Sequence, residues 1–465
     1  MHTVSSRGFM RRLGMSAVVA AIALATIDAR ALRPDSPAAD QEPQKDVVDL
    51  TIKTTGAQTR YAVPDFVAIN PDAAAEGKTL AQVLFDDLAF EREFYLIPRD
   101  TSASIGAPKP GAEFPFKTWQ ELGADGVVAG TVQKTGDSLH VDVRLYDVRR
   151  QQPVFSGGYD GTARSIRQIA HTISDAILLQ QAKLRGVART KLAFISDRDR
   201  ERVDGTFEKR EVKHVYIVDY DGFNPRRITV NRYLNLNPSW SPDGRTLAYT
   251  AYGPSGADVV LSRIYEGLPL QRPAKGIGNN YLPVFSPDGT RIAFMSYRDG
   301  QGEIYVMNVD GSNLRRLTNH PADDVTPTWS PSGTQIAFTS ARSGRPLIYT
   351  MNSADGSGVK LITPDESEAD RPTWSPAPYN EIAFTARTGN WYDVKVYDVA
   401  TGRIRTLTDG KGSNESPAFS PTGRHLAFTS TRTGTSQIFT IGRDGNGLKQ
   451  ITREGNNQTA AWSSN

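Results

Sequence analysis

The 465 residues include no cysteine, which excludes disulfide staples, thiolate metal sites, cysteine nucleophiles and lipidated cysteine. Long apolar runs are scarce as well. The run at 15–25 is too short to span a bilayer, and nothing later in the chain is apolar enough for a transmembrane helix. An excess of one charge is also missing. The formal charge is +3, and Arg7, Arg11, Arg12 and Arg30 against Asp28 account for it, so the remainder is neutral and offers nucleic acid no electrostatic attraction. Catalytic signatures are absent too: there is no H-E-x-x-H, H-x-E or G-x-S-x-G, and the six histidines (2, 140, 171, 214, 320, 425) are scattered. Glu76-Gly-Lys-Thr79 imitates the end of a phosphate-binding loop, but Asp72 stands where the first glycine is needed, so the segment reads as a helix start.

What is there begins with a leader. Residues 1–31 pair a basic stretch ending at Arg11-Arg12 with the apolar run and a small-x-small site at Ala29-Arg30-Ala31, Ala25 being the alternative cleavage point. Export to a periplasm is the expectation. Residues 32–45, with Pro34, Pro37 and Pro43, read as a flexible tail.

The dominant pattern is a repeat. Trp240, Phe285, Trp329, Trp374, Phe419 and Trp462 each precede Ser-Pro (Ser-Ser in the last copy) at steps of 43 to 45 residues. That period fits propeller blades of four strands. In Trp329-Ser-Pro-Ser-Gly333, proline presets φ and glycine supplies φ > 0, so one strand ends and Gln335-Ile-Ala-Phe-Thr339 begins. Its unbroken apolar centre suits a sheet covered on both faces, and the central alanine (Ala248, Ala293, Ala337, Ala383, Ala427) leaves room for a neighbour's bulk. Asp-Gly turns at 221–222, 310–311, 355–356 and 444–445 close the third strands. The last copy is a first strand with nothing after it, and Lys191-Leu-Ala-Phe-Ile195 is a second strand with no first strand before it. The two are expected to complete one blade and close a ring of six.

From 46 to 187 the period is absent. Strands at 47–52, 62–68 and 94–97, helices around Leu80–Leu88 and Phe116–Leu122, a meander at 126–132, 138–147 and 153–158, and a final helix with Ile166, Ile169, Ile173, Ile177 and Leu178 on one face describe a separate domain. The expected fold is therefore an α+β N-terminal domain followed by an all-β six-bladed β-propeller over 188–465.

Two sets of polar positions recur at one end of the propeller. Ser-x-Arg or a near relative follows the second strands at Arg198, Arg298, Arg342, Arg387 and Arg432, either tying down its own loop or ringing the channel. The loops entering the first strands (235–237, 279–282, 323–326, 368–371, 414–416, 456–459) are rich in Asn, Asp and Glu, and loops on a rigid scaffold are where binding usually resides.

With a leader, an α/β domain, five P-x-[WF]-S-P copies and a divergent sixth (Ala460-Ala-Trp-Ser-Ser464), the chain resembles the TolB family, periplasmic propeller proteins of the Tol-Pal system. The resemblance covers essentially the whole mature chain. It implies a non-enzymatic, monomeric adaptor, peripheral to membranes. Such an adaptor binds the peptidoglycan-associated lipoprotein Pal at the channel mouth and TolA through its N-terminal region, with other envelope proteins as further partners, and supports outer-membrane invagination during division. It places the Pal contacts in the entry loops: Asn279, Asn280, Tyr281, Leu282, Asp324, Val325 and Thr326, extended here to Glu368, Asp370, Arg371, Asn414 and Glu415, with Arg298 and Arg342 beside them. It also allows calcium in the channel, though no ligand set is visible in the sequence, and no other cofactor. The longer proline-rich tail and the loss of the turn glycine in Trp374-Ser-Pro-Ala-Pro-Tyr-Asn380 depart from the family pattern. The alternatives are an exported propeller enzyme, peptidase-like, with converging acid and base groups in the channel, or an unrelated ligand-binding propeller scaffold.

Overall fold

A computed structural model describes residues 58–103, 105, 112–202, 212–254, 256–266, 270–274 and 279–464. The leader, the tail and the expected strand at 47–52 lie outside the described residues. No helix among the described residues is long and apolar enough to cross a membrane.

The N-terminal sheet runs in the order β3 (Tyr95–Leu96), β1 (Arg60–Ala62), β4 (Gly126–Thr135), β5 (Ser138–Asp147), β6 (Gln152–Thr162), and β2 (Val67–Ala68) also pairs with β4. The single strand expected at 62–68 is two short ones. Pro64, which lacks an N–H for the ladder, sits in the interval between them. Helices α1 (Ala74–Glu91) and α4 (Ile166–Ala182) cover one face through Leu80, Leu84, Leu88, Ile169, Ile173 and Ile177. Between them in the chain lie α2 (Arg99–Ala103), which the sequence pattern does not announce, and α3 (Phe116–Glu121). Trp119 of α3 is buried with Ile97, Phe114 and Val127 in a second, smaller cluster.

Six propeller blades come after this domain. Blade one joins the chain ends, β29 (Asn457–Trp462) lying beside β7 (Lys191–Ser196), β8 (His214–Asp219) and β9 (Arg226–Arg227), so the ring closes as the sequence predicts. Among the described residues blade two has three strands, β10 (Asn235–Trp240), β11 (Thr246–Gly253) and β12 (Gly256–Arg263). An isolated bridge from Leu261 to Gln271 stands where a fourth strand would pair. Blades three to six each have four strands: β13 (Asn280–Phe285) to β16 (Arg315–Arg316), β17 (Asp324–Trp329) to β20 (Lys360–Leu361), β21 (Ala369–Trp374) to β24 (Ile404–Thr406), and β25 (Asn414–Phe419) to β28 (Lys449–Gln450).

Packing between blades follows the expected rule. The central alanine of each second strand clusters with aromatics of the next blade: Ala193 with Trp240 and Tyr249, Ala248 with Phe285 and Phe294, Ala383 with Phe419 and Phe428, Ala427 with Trp462 and Phe194. A larger residue at any of these positions would overpack a completely buried site. The Asp-Gly glycines combine two demands. Gly356 has φ 75°, and a Cβ there would lie 1.9 Å from the Leu317 carbonyl oxygen of the preceding blade.

The N-terminal domain meets blades six and one through buried polar groups and through the ring of Phe90. Asp87 of α1 accepts a hydrogen bond from Tyr220 Oη at 2.6 Å and lies 2.8 Å from Nδ1 of His171 on α4, all three buried. Glu91 bridges Arg424 at 2.6 Å and the Val187 N–H at 2.8 Å, and Arg92 makes a two-pronged pair with Asp444, both contacts at 2.9 Å. His425 stacks on Phe90 at 4.4 Å between centroids and places Nε2 3.2 Å from the Phe90 carbonyl oxygen.

Candidate functional site

The first strand of every blade starts at the end of the propeller where the second strand finishes, so the entry loops and the hairpins joining second to third strands share one rim. Each first strand carries a bulge about two residues in, with a non-glycine residue in the left-handed region: Asn237, Leu282, Thr326, Arg371, Ser416 and Thr459, φ between 49° and 56°. Such a residue costs roughly 1–2 kcal/mol in backbone strain. A hydrogen bond to the preceding blade offsets this in three of them: the N–H groups of Leu282, Ser416 and Thr459 donate to the hydroxyls of Thr250, Thr385 and Thr429 at 2.9–3.0 Å. No glycine marks these positions, so they were not legible in the sequence.

The recurring arginines are locks. Arg298 Nε donates to Ser296 Oγ at 3.1 Å and a terminal nitrogen to Asn280 Oδ1 at 3.1 Å, with the guanidinium 4.7 Å from the centroid of Tyr305. Arg342 repeats the arrangement with Ser340 at 2.8 Å and both oxygens of Asp324 at 2.8 and 3.0 Å, and Arg198 and Arg432 do so with Asn457 and Asn414. Each arginine ties its own hairpin, mainly through side chains rather than carbonyls. Asn280, Asp324 and Asn414 are fully buried in these locks and shape the rim from within, while Arg298 and Arg342 are half-buried at it. Arg387 is a correction. Ala369 pairs with Ala386, which therefore occupies the lock serine's place, and Arg387 sits one position short of the series, outside the serine lock, its Nε donating to the Gly389 carbonyl of its own hairpin at 3.3 Å and a terminal nitrogen 3.5 Å from Glu368.

Tyr281, Leu282, Val325 and Thr326 are half-buried on the rim, and Asn279 is exposed. Tyr281 is flanked edge-on by Tyr252 at 6.0 Å and Tyr297 at 6.1 Å, and burial drives its hydroxyl well above the usual phenol range. Farther round, Glu368 accepts from Tyr392 Oη at 3.1 Å, and Asp370 is reached by Thr339 at 2.9 Å and by the Arg371 N–H at 2.7 Å. Glu415 has its carboxyl pushed up by burial, an effect the Arg371 guanidinium opposes and the Asp370 and Glu368 charges reinforce. These carboxylates do not fit a calcium cage, because a fixed guanidinium already sits among them where six or more oxygens would be needed. Among the described residues, donor atoms of Asp199, Glu201 and His214 also approach within 4.8 Å of one another, but Arg227 contacts both carboxylates, at 3.2 and 2.5 Å, and supplies the positive charge itself.

Residues 180–465 match the family model described as the TolB beta propeller domain, and residues 48–154 the one described as the TolB amino-terminal domain. The Tol-Pal system protein TolB of Desulfosudis oleivorans is 33% identical over 264 residues, 55% of this chain and 57% of that protein. That of Geobacter sulfurreducens is 36% identical over 176 residues, 38% of each. The chain thus spans a little over half the length of the first of these relatives. The crystal structure of TolB from Acinetobacter baumannii superposes with a TM-score of 0.69 and 26% identity over 88% of this chain and 97% of that one.

Proposed function

Since the chain belongs to the TolB family, with the family's propeller matched over residues 180–465, we propose that it is a periplasmic, non-enzymatic adaptor of the Tol-Pal envelope system. It binds the lipoprotein Pal at the propeller mouth and TolA through its N-terminal region, supporting envelope integrity and invagination at division. Relatives that carry the name Tol-Pal system protein TolB support the assignment. The observation that carries the binding site is the division of labour at the two ends. On one, Ser-Pro-x-Gly and Asp-Gly turns are short and spent on reversing strands. On the other, entry loops of differing sequence surround the channel on a rigid frame of locks.

The test is calorimetric titration with the soluble domain of Pal. Tyr281→Ala is expected to weaken binding by about 1–2 kcal/mol with the fold retained. Thr290→Ala, at an exposed turn on the opposite end, should change neither affinity nor melting. Unchanged affinity in the first variant, or a clear loss in the second, would place the site on the other face.

A further inference from the structure

Granted that the lipoprotein docks at the mouth, a reading on which this inference rests, the mouth it meets is not evenly built. In blades one, three, four and six the second strand ends at the lock serine: Ser196, Ser296, Ser340 and Ser430. In blades two and five it continues two residues further, to Gly253 and Thr388, and the serine is replaced by Ala251 and Ala386. Longer pairing and the absent lock therefore occur together. The first strands neighbour one another in chain order around the ring, so blades two and five, three apart, stand on opposite sides of the channel. Both second strands run toward the mouth, and the six residues that follow Ala251 and Ala386 are as many as follow the serine in blades three, four and six, but here the ladder continues into them. Blades two and five therefore carry extended, paired arms on opposite sides of the mouth where those three turn back in a loop.

Each arm is tied to an entry loop. The Ala257 N–H donates to Asn279 Oδ1 at 3.0 Å, and on the other side Tyr392 Oη and the Arg387 N–H donate to Glu368 at 3.1 and 3.0 Å. The blade-five arm also presents exposed side chains. Trp391 at the tip of blade five is 55% exposed, whereas the other five tryptophans are at most 8% exposed. Arg387 beside it is half-exposed, its Nε donating to the Gly389 carbonyl at 3.3 Å and a terminal nitrogen 3.5 Å from Glu368. On the blade-two arm, Tyr252 leans on Tyr281. An exposed indole gains nothing from the fold, and Trp, Tyr and Arg are the residue types that dominate protein interfaces.

We infer that the arms of blades two and five grip opposite flanks of the lipoprotein, Trp391 taking an apolar patch and Arg387 a carboxylate next to it. The partner is bound as a body broader than the channel, not as a peptide threaded into it. The full chain is titrated with the soluble domain of Pal. Trp391→Ala should bind about tenfold more weakly or worse. Arg387→Gln should bind a few-fold more weakly with a flatter salt dependence. Thr433→Ala, on the looped hairpin of blade six, should bind as the unaltered chain does. All three should melt with the unaltered chain, since none of these side chains is buried. Full affinity in Trp391→Ala while the unaltered chain binds overturns this inference and leaves the lipoprotein reading standing. No binding by the unaltered chain overturns that reading and this inference with it. A change in self-association on sedimentation, with lipoprotein affinity intact, would assign the arm to contacts between copies and overturn the inference as well.

Discussion

At the scale of single residues, charge decides which of the repeated contacts carries most stability. Arg298 and Arg342 make the same lock, but one faces a neutral amide and the other a fully buried carboxylate. Removing Arg298 with Gln leaves an amide short of one donor and is expected to cost about 1 kcal/mol. Arg342→Gln strands the Asp324 charge away from water and is expected to cost about 3 kcal/mol. Urea denaturation of the two variants compares them directly, and equal losses would mean that stacking on Phe338 and Tyr349 outweighs the ion pair. His425 gives a pH signature at the same scale. Its Nε2–H points at the Phe90 carbonyl, which leaves Nδ1 as the buried, unpartnered titrating nitrogen. Burial, reinforced by the Arg424 charge, pulls its pKa down to about 4. A histidine lowered in the folded state is protonated first in the unfolded one. The stability it permits is complete above about 6.5 and is lost as pH falls toward 4, a span on the order of 3 kcal/mol. His425→Gln, which keeps a donor for Phe90, should flatten the dependence of melting temperature on pH between 6.5 and 4. If the slope is unchanged, the acid sensitivity lies elsewhere.

At the scale of elements, the blades were legible because turn chemistry and aromatic spacing repeat, and repetition turns a weak local signal into a strong one. What escaped was register. Thr385-Ala-Arg387 looks like Ser296-Tyr-Arg298, and only the pairing of Ala369 with Ala386 reveals that the arginine stands one place early, in a hairpin of the same length whose pairing runs two residues further. The left-handed residues escaped for a related reason, since Leu282 and Thr326 carry no side chain that announces φ > 0. For Leu282, Ser416 and Thr459 the support is a hydroxyl in another blade, distant in sequence. That support can be measured: Thr385→Val keeps the shape but removes the acceptor for the Ser416 N–H, and should cost about 1–2 kcal/mol. A variant as stable as the parent would mean that water or a neighbouring group takes the bond. The charges on α1 were equally hidden. Nothing in the sequence pattern singles out Asp87 or Glu91, and only the docked propeller shows that they face Tyr220 and Arg424.

At the scale of the whole molecule, domain docking depends on a closed ring, because the N-terminal domain rests on blades six and one, on either side of the closure. That closure is made by the last residues of the chain. Trp462 is buried with its Nε1–H donating to Thr190 Oγ1 at 2.7 Å, the Lys191 N–H donates to Ser463 Oγ at 2.9 Å, and Gln458 accepts from Lys213 at 2.7 Å. Tyr220, which binds Asp87 across the domain interface, follows β8 in the same blade and packs in the cluster that holds Trp462. Trp462→Ala should cost about 3–5 kcal/mol from the lost burial and the cavity left behind. Deleting residues 459–465 is expected to do more, because it removes most of an inner strand and opens a sheet edge on a blade packed against two neighbours. The melting temperature should fall well below that of Trp462→Ala, and amide exchange should quicken in 191–196 and in α1 together, since the blade that opens is the one Asp87 holds. Loss of protection in the blade alone would show that α1 keeps its place through Glu91, Arg92 and blade six. A truncated chain that melts with the intact one would mean that the strand at 457–462 does not close the ring.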